Sequence, residues 1–142
     1  MFASAANSSM FQRQAGAYKQ VHLNTGVDGA SPHGLVVMLF EGLTDALAQA
    51  RGAMRSGNIE QKGRAIGRAV GIVTEGLRGR LNMQEGGKLA ADLDELYGYI
   101  TIRLIHANLR NDEAALDECN RLLEPVRLAW SQIADKQPLA AS

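Results

Sequence analysis

The sequence of 142 residues has one cysteine, few aromatic residues and no excess of either charge. A single cysteine, Cys119, excludes an intramolecular disulfide and a cysteine-cluster metal site, and it fits a reducing compartment such as the cytoplasm. Acidic and basic residues number 15 each, so no overall charge attracts nucleic acid or an anionic membrane. The longest apolar run, 35–40, is far shorter than the ~20 residues of a membrane-spanning helix. We therefore expect a cytoplasmic protein without nucleic-acid binding or membrane insertion.

The sequence also lacks a cluster of residues typical of an active site. The three histidines, His22, His33 and His106, are scattered, and no Glu-x-x-His pair of a di-iron bundle occurs. We therefore predict no catalytic, cofactor-binding or metal-binding residues. His106 lies off the apolar stripe of its helix, so a histidine phosphotransfer bundle is one alternative, although the lysine-glycine that commonly follows such a histidine is absent. A non-catalytic helical scaffold that oligomerises is the other alternative.

Helical signals begin at Ser31-Pro32. A serine oxygen can cap free backbone N–H groups, and proline fits the first helical position because it has no N–H to leave unpaired. Apolar residues then recur at alternating intervals of four and three, which is typical of the buried face of a helix. Gly57 suits the C-terminal end of this helix, and Asn58 with Gln61 resembles a capping box. These signals predict helix 1 and a very short link to helix 2.

Three further helices follow from the same periodicity. Helix 2 is predicted to end near Gly86-Gly87, and helix 3 to follow it directly. Asn111 or Asp112 is predicted to cap helix 4, which Pro138 closes. No segment alternates apolar and polar residues between turn signals, so no strands are expected. Four helices with short links predict an all-α, antiparallel up-and-down four-helix bundle with a flexible N-terminal segment.

The chain is predicted to hold one domain, since its length supports one hydrophobic core. Residues 1–16 lack periodicity and are predicted to form a mobile leader. The bundle domain is expected over 17–136, followed by a tail over 137–142.

Glycine and proline weaken two of the predicted helices. Gly63, Gly67 and Gly71 each cost about 1 kcal/mol relative to alanine inside helix 2. Their spacing of four leaves a strip free of side chains, which serves either tight packing within the bundle or a groove for a partner helix. Pro125 costs roughly 3 kcal/mol inside a straight helix 4, so we predict a kink over 121–125.

Helix 3 carries a composition that is enriched at protein interfaces. Tyr97, Tyr99 and Arg103 combine apolar bodies with polar tips. A buried core position is the alternative interpretation for at least one of the two tyrosines.

Two sets of motifs carry a family resemblance. The first opens helix 1 and comprises Ser31-Pro32, Leu35 and Met38-Leu39-Phe40-Glu41-Gly42. The second follows in order through Leu81-Asn82, Gly86-Gly87, Leu96-Tyr97-Gly98-Tyr99, Arg103-Leu104, Ala107-Asn108, Asp112, Leu123, Arg127 and Ala129-Trp130. On these motifs the chain resembles the FliS family of flagellin export chaperones from Tyr18 to Trp130.

The resemblance implies a cytoplasmic bundle that binds the C-terminal segment of flagellin. Such a chaperone prevents premature polymerisation and delivers its client to the flagellar type III export apparatus, without catalysis or cofactor. A flagellar regulator and a second copy of the chain are further candidate partners. The family's N-terminal segment can cover a groove, and Asn108 is expected to make a helix-terminal or interhelical hydrogen bond. The partner-binding residues we expect are Tyr18, Val21, Leu39, Phe40, Tyr97 and Arg103.

Overall fold

The computed structural model describes the backbone of residues 31–141 and the side chains of residues 31–132. The helices are α1 (Pro32–Ser56), α2 (Ile59–Gly71), α3 (Met83–Arg110) and α4 (Glu113–Ala141). A π-helical segment (Ile72–Leu77) and a 3₁₀ turn (Arg78–Arg80) extend α2. Residues 31–141 contain no strand, so the all-α prediction is confirmed.

The chain divides into two compact units. As far as the structure describes it, the first unit consists of residues 31–40 and 125–141. Within this unit Leu35 and Phe40 are buried. The rings of His33 and Trp130 lie 5.0 Å apart, and partial burial lowers the pKa of His33. The start of α1 and the later part of α4 are therefore neighbours in the first unit.

The second unit, 41–124, contains segments of all four helices. Arg51 of α1 pairs with Asp117 of α4. One turn later along α1, Arg55 Nε lies 3.1 Å from a carboxylate oxygen of Glu113, which is one turn earlier on α4. The two helices are therefore antiparallel, and links of two residues reverse the chain between successive helices. This unit has the predicted antiparallel up-and-down four-helix topology.

The start of α1 and the link between α1 and α2 form as the sequence predicts. Ser31 Oγ accepts a hydrogen bond from the Gly34 N–H at 2.9 Å, which caps α1. Gly57 has φ +75°, and the Asn58 N–H donates to the Ala53 carbonyl at 2.9 Å, which completes a Schellman motif. Asn58 Oδ1 then accepts from the Gln61 N–H at 3.0 Å and caps α2. Both predicted ends of this link are confirmed.

The predicted boundary between helices 2 and 3 is wrong. The helical chain that includes α2 ends at Arg80, and α3 begins at Met83, four residues before Gly87. Asn82 Oδ1 accepts a hydrogen bond from the Glu85 N–H at 2.9 Å, so a side-chain cap starts α3 early. Gly87, with φ 55° and ψ −133°, then breaks the helical path inside α3.

The cap of α4 was predicted as Asn111 or Asp112. Asn111 takes the left-handed conformation, φ 53°, and ends α3, while Asp112 Oδ1 accepts from the Ala115 N–H at 3.3 Å. Asp112 is therefore the α4 cap. The predicted end at Pro138 is wrong because α4 continues to Ala141. Proline has no N–H, so α4 passes through Pro138 with one backbone hydrogen bond fewer. The kink over 121–125 stays a prediction.

Candidate functional site

The glycines of α2 face open space. No heavy atom in the described part of the chain lies within 4 Å of the position that a Cβ would take at Gly63, Gly67 or Gly71. The core side of α2 carries Ile66 and Ala69, which are buried. The glycine strip therefore lies away from the core and packs no helix of the bundle against it. This favours the interpretation as a partner groove over tight internal packing.

The outward face of α3 is apolar. Ile102, Ile105 and Leu109 are 66%, 54% and 77% exposed. They follow one another at intervals of three and four residues, so they share one side of the helix. The opposite side buries Ile100 and Leu104. Helix α3 thus has apolar residues on two faces, and within the described residues the outer one has no partner.

Two contacts fix how α2 lies beside α3. Lys62 Nζ donates to the Asn108 carbonyl at 3.0 Å and to Asn111 Oδ1 at 3.1 Å. Arg78 Nε, further along α2's continuation, donates to Asp94 Oδ1 at 2.7 Å. The contact later in the α2 segment is thus made with an earlier residue of α3, so the two helices are antiparallel. One contact near each end fixes their alignment. The hydrogen bond at Asn108 is made by its backbone carbonyl, so a role for its side chain stays a prediction.

The same register brings the glycine strip and the apolar face together. Interpolation between the two contacts places Gly63 level with Leu109 and Gly67 level with Ile105. The Arg78 guanidinium also covers Gly98, one turn before Ile102, so the apolar face borders α2. We define the α2–α3 groove as the surface formed by Gly63, Gly67, Gly71, Ile102, Ile105 and Leu109.

A polar cluster lies where α3 meets α4. Arg103 Nε donates to Glu118 Oε1 at 2.8 Å, and the Tyr99 hydroxyl donates to Glu118 Oε2 at 2.5 Å. The hydrogen bonds from Tyr99 and Arg103 lower the pKa of Glu118 below its ordinary value. This carboxylate therefore holds both side chains in place, and Arg103 is only partly exposed. Arg103 as a partner contact stays a prediction.

The other predicted partner residues have different surroundings. Tyr97 is 2% exposed in the core, and burial raises its pKa to about 12. Phe40 is also buried, while Leu39 is half-buried. Two of these side chains therefore present almost no surface and could act on a partner only through the residues that they support. Tyr18 and Val21 lie outside the described residues.

The described residues hold few groups suited to chemistry. His106 Nε2 lies 3.2 Å from a carboxylate oxygen of Asp112 on the partly exposed surface. Burial raises the pKa of Cys119 to about 12, so its thiol is protonated at neutral pH. Over residues 31–132, no three His, Cys, Asp or Glu side chains converge as a metal site. None of the described helices is both long and apolar enough to span a bilayer.

The outer face of α3 was not among the predicted partner-binding surfaces. Its signal was present, because Ile102, Ile105 and Leu109 have helical spacing. The stronger stripe through Ile100 and Leu104 accounts for the helix by itself, and a second apolar stripe becomes significant only when its exposure is known.

The fold and the groove define a class of protein, namely a four-helix bundle with an apolar groove that residues 31–132 leave uncovered. The family model described as flagellar protein FliS matches residues 14–137. The chain belongs to this family of flagellar secretion chaperones, which is not an enzyme class.

Relatives from several bacteria match most of the chain. The flagellar secretion chaperone FliS of Salmonella typhimurium is 43% identical over 120 residues, covering 84% of this chain and 89% of the relative. FliSB of Pseudomonas aeruginosa is 45% identical over 117 residues, covering 82% and 92%. FliS of Bacillus subtilis is 32% identical over 116 residues, covering 82% of each chain. The similarity therefore extends across the bundle and is not confined to one motif.

Proposed function

We propose that the protein is a cytoplasmic export chaperone for flagellin. It binds the C-terminal helical segment of flagellin, prevents premature polymerisation and delivers the client to the flagellar type III export apparatus. The observation that carries the proposal is the α2–α3 groove, in which exposed apolar side chains stand beside a strip without side chains. The similarity to flagellar secretion chaperones supports the same conclusion.

The groove suits an amphipathic helix. Such a helix places apolar residues at i, i+3, i+4 and i+7 along one side, which matches the spacing of Ile102, Ile105 and Leu109. The glycine strip lets the backbone of the partner approach α2 closely. A client helix whose apolar face is covered in this way cannot use that face to associate with other flagellin molecules.

The energy available from the groove indicates that it is one part of a larger contact. Full burial of an isoleucine or leucine side chain contributes about 1.5–3 kcal/mol, and those of the groove are already partly covered. Three of them give on the order of 3–6 kcal/mol, against an association cost of about 4–15 kcal/mol. The client must therefore contact further surface. Leu39 and Arg103 are candidates for that surface.

Isothermal titration tests the client. We expect the C-terminal helical segment of flagellin from the same organism to bind saturably near one-to-one, while an N-terminal flagellin segment does not bind. Failure of the C-terminal segment to bind would refute the chaperone assignment for this client.

A substitution in the groove tests the surface. Leu109→Ser removes an apolar contact and is expected to weaken binding about tenfold. Leu128→Ser is the matched control, because Leu128 is also an exposed leucine but lies in the first unit on α4. Equal losses of affinity in the two variants would show that the groove has no special role.

A further inference from the structure

One end of the α2–α3 groove is closed by a side chain. Arg78 reaches from α2's continuation to α3, where its Nε and a terminal nitrogen lie 2.7 Å and 3.4 Å from the two carboxylate oxygens of Asp94. Three guanidinium atoms stand 3.2–3.4 Å from the position that a Cβ would take at Gly98. The absence of a side chain at Gly98 therefore makes room for the guanidinium to lie across the seam between the helices.

The bridge limits the length of the open groove. Gly63 marks the far end and Arg78 the closed end, which are roughly 20 Å apart at the rise of a helix. This distance accommodates a partner helix of about four turns. A longer helix in the groove meets the guanidinium at the level of Gly98.

The charges at the two ends of the groove differ. Arg78 is 41% exposed, and its guanidinium has five N–H donors, of which Asp94 takes two. At the other end, Glu60 on the first turn of α2 is exposed, and a guanidinium nitrogen of Arg64, one turn later, lies 3.8 Å from its carboxylate and offsets its charge. The last carbonyls of a helix are unpaired and carry partial negative charge, while its first N–H groups carry partial positive charge. A helix whose C-terminal end meets Arg78 is therefore favoured at that end, while the Glu60–Arg64 pair at the other end adds little preference.

We propose that Arg78, held by Asp94 over Gly98, is the end-stop of the groove and sets both where a bound helix ends and in which direction it lies. The occupant is the amphipathic C-terminal helical segment of flagellin, so this inference rests on the proposed function. The bound helix runs parallel to α2 and antiparallel to α3, with its C-terminal end at Arg78.

Spin-labelled peptides test the direction. The C-terminal helical segment of flagellin is labelled at one end or the other and added to the full chain, and the amide signals of Gly63 and Gly98 are followed by NMR. A label at the C-terminal end of the peptide is expected to broaden Gly98, and a label at the N-terminal end to broaden Gly63. The reverse pattern overturns the proposed direction.

Variants test the end-stop. Arg78→Ala is expected to weaken binding about two- to fivefold at low ionic strength, and Arg64→Ala, at the other end of α2, to have less effect. Extending the peptide by about one helical turn at its C-terminal end is expected to weaken binding to the wild type but not to Arg78→Ala. Gly98→Ala places a methyl group 3.2–3.4 Å from the guanidinium and shifts it only slightly, so its effect should have the same direction as that of Arg78→Ala but be smaller. Thermal unfolding establishes that each variant is folded.

The outcomes separate the two proposals. A peptide that binds without broadening either glycine occupies another surface, which overturns the end-stop but leaves the chaperone function. A peptide that does not bind at all overturns both. Equal effects of Arg78→Ala and Arg64→Ala, or the same penalty for the longer peptide in Arg78→Ala and the wild type, overturn the end-stop alone.

Discussion

Replacing the glycines of α2 by alanine should stabilise the protein and weaken its binding to flagellin. Each of Gly63, Gly67 and Gly71 lies inside a helix, where alanine is favoured by about 0.5–1 kcal/mol. A methyl group at these positions meets no described heavy atom within 4 Å, so no clash offsets the gain. The triple variant should therefore gain roughly 1.5–3 kcal/mol in free energy of unfolding. The same methyl groups project from the glycine strip and keep the backbone of the partner helix further from α2, which weakens the contact.

Urea unfolding followed by circular dichroism measures the first effect, and titration with the C-terminal flagellin segment measures the second. We expect a higher midpoint with an unchanged m-value, because the folded surface hardly changes. Gly52→Ala is the matched control, since Gly52 also lies in a helix with open space around it, but on α1. This control should gain stability and bind flagellin normally. A triple variant that loses stability would show that the strip is packed, and one that binds normally would refute the groove.

Three further predictions concern the core and its polar contacts. Tyr97→Ala should lower the free energy of unfolding by about 3 kcal/mol or more, because Tyr97 is a fully buried core side chain, and urea unfolding checks this. Lys62→Met should cost about 1–3 kcal/mol in the same assay, because it leaves the Asn108 carbonyl and Asn111 without their buried donor. The pKa of Glu118 is lowered below its ordinary value of 4.5, so this carboxylate stabilises the folded state above pH 4.5 and loses that effect as the pH falls through its folded-state pKa. The difference in unfolding free energy between the wild type and Glu118→Gln should accordingly be present at neutral pH and vanish in acid; a difference independent of pH would contradict this account.

Local chemistry explains which parts of the fold were predictable. The ends of α1 and the start of α2 depend on Ser31, Gly57 and Asn58, whose conformational preferences act within a few residues. The boundary before α3 was missed because Gly86-Gly87 gave a stronger stop signal than the cap at Asn82. A cap and a glycine pair compete at close range, and the sequence alone does not show which one starts the helix.

The groove could be predicted only in part. The spacing of the α2 glycines indicated a bare strip, but two uses remained open for it. Its relation to α3 depends on the register that Lys62 and Arg78 set across the two helices. Register is a tertiary property, since each contact joins residues far apart in the chain. The burial of Tyr97 also depends on how the helices pack. For that reason its amphipathic side chain alone did not show whether it lies in the core or at the surface.

The two-residue links between the helices bear on how the bundle folds. Each link pairs a helix with its neighbour in the sequence, and such local contacts generally form fast. The seam between α1 and α4 is different, because the Arg51–Asp117 pair joins residues 66 apart. Closing a longer loop costs more chain entropy, so we expect this seam to form last. Substitutions at Arg51 should then speed unfolding while leaving the folding rate nearly unchanged.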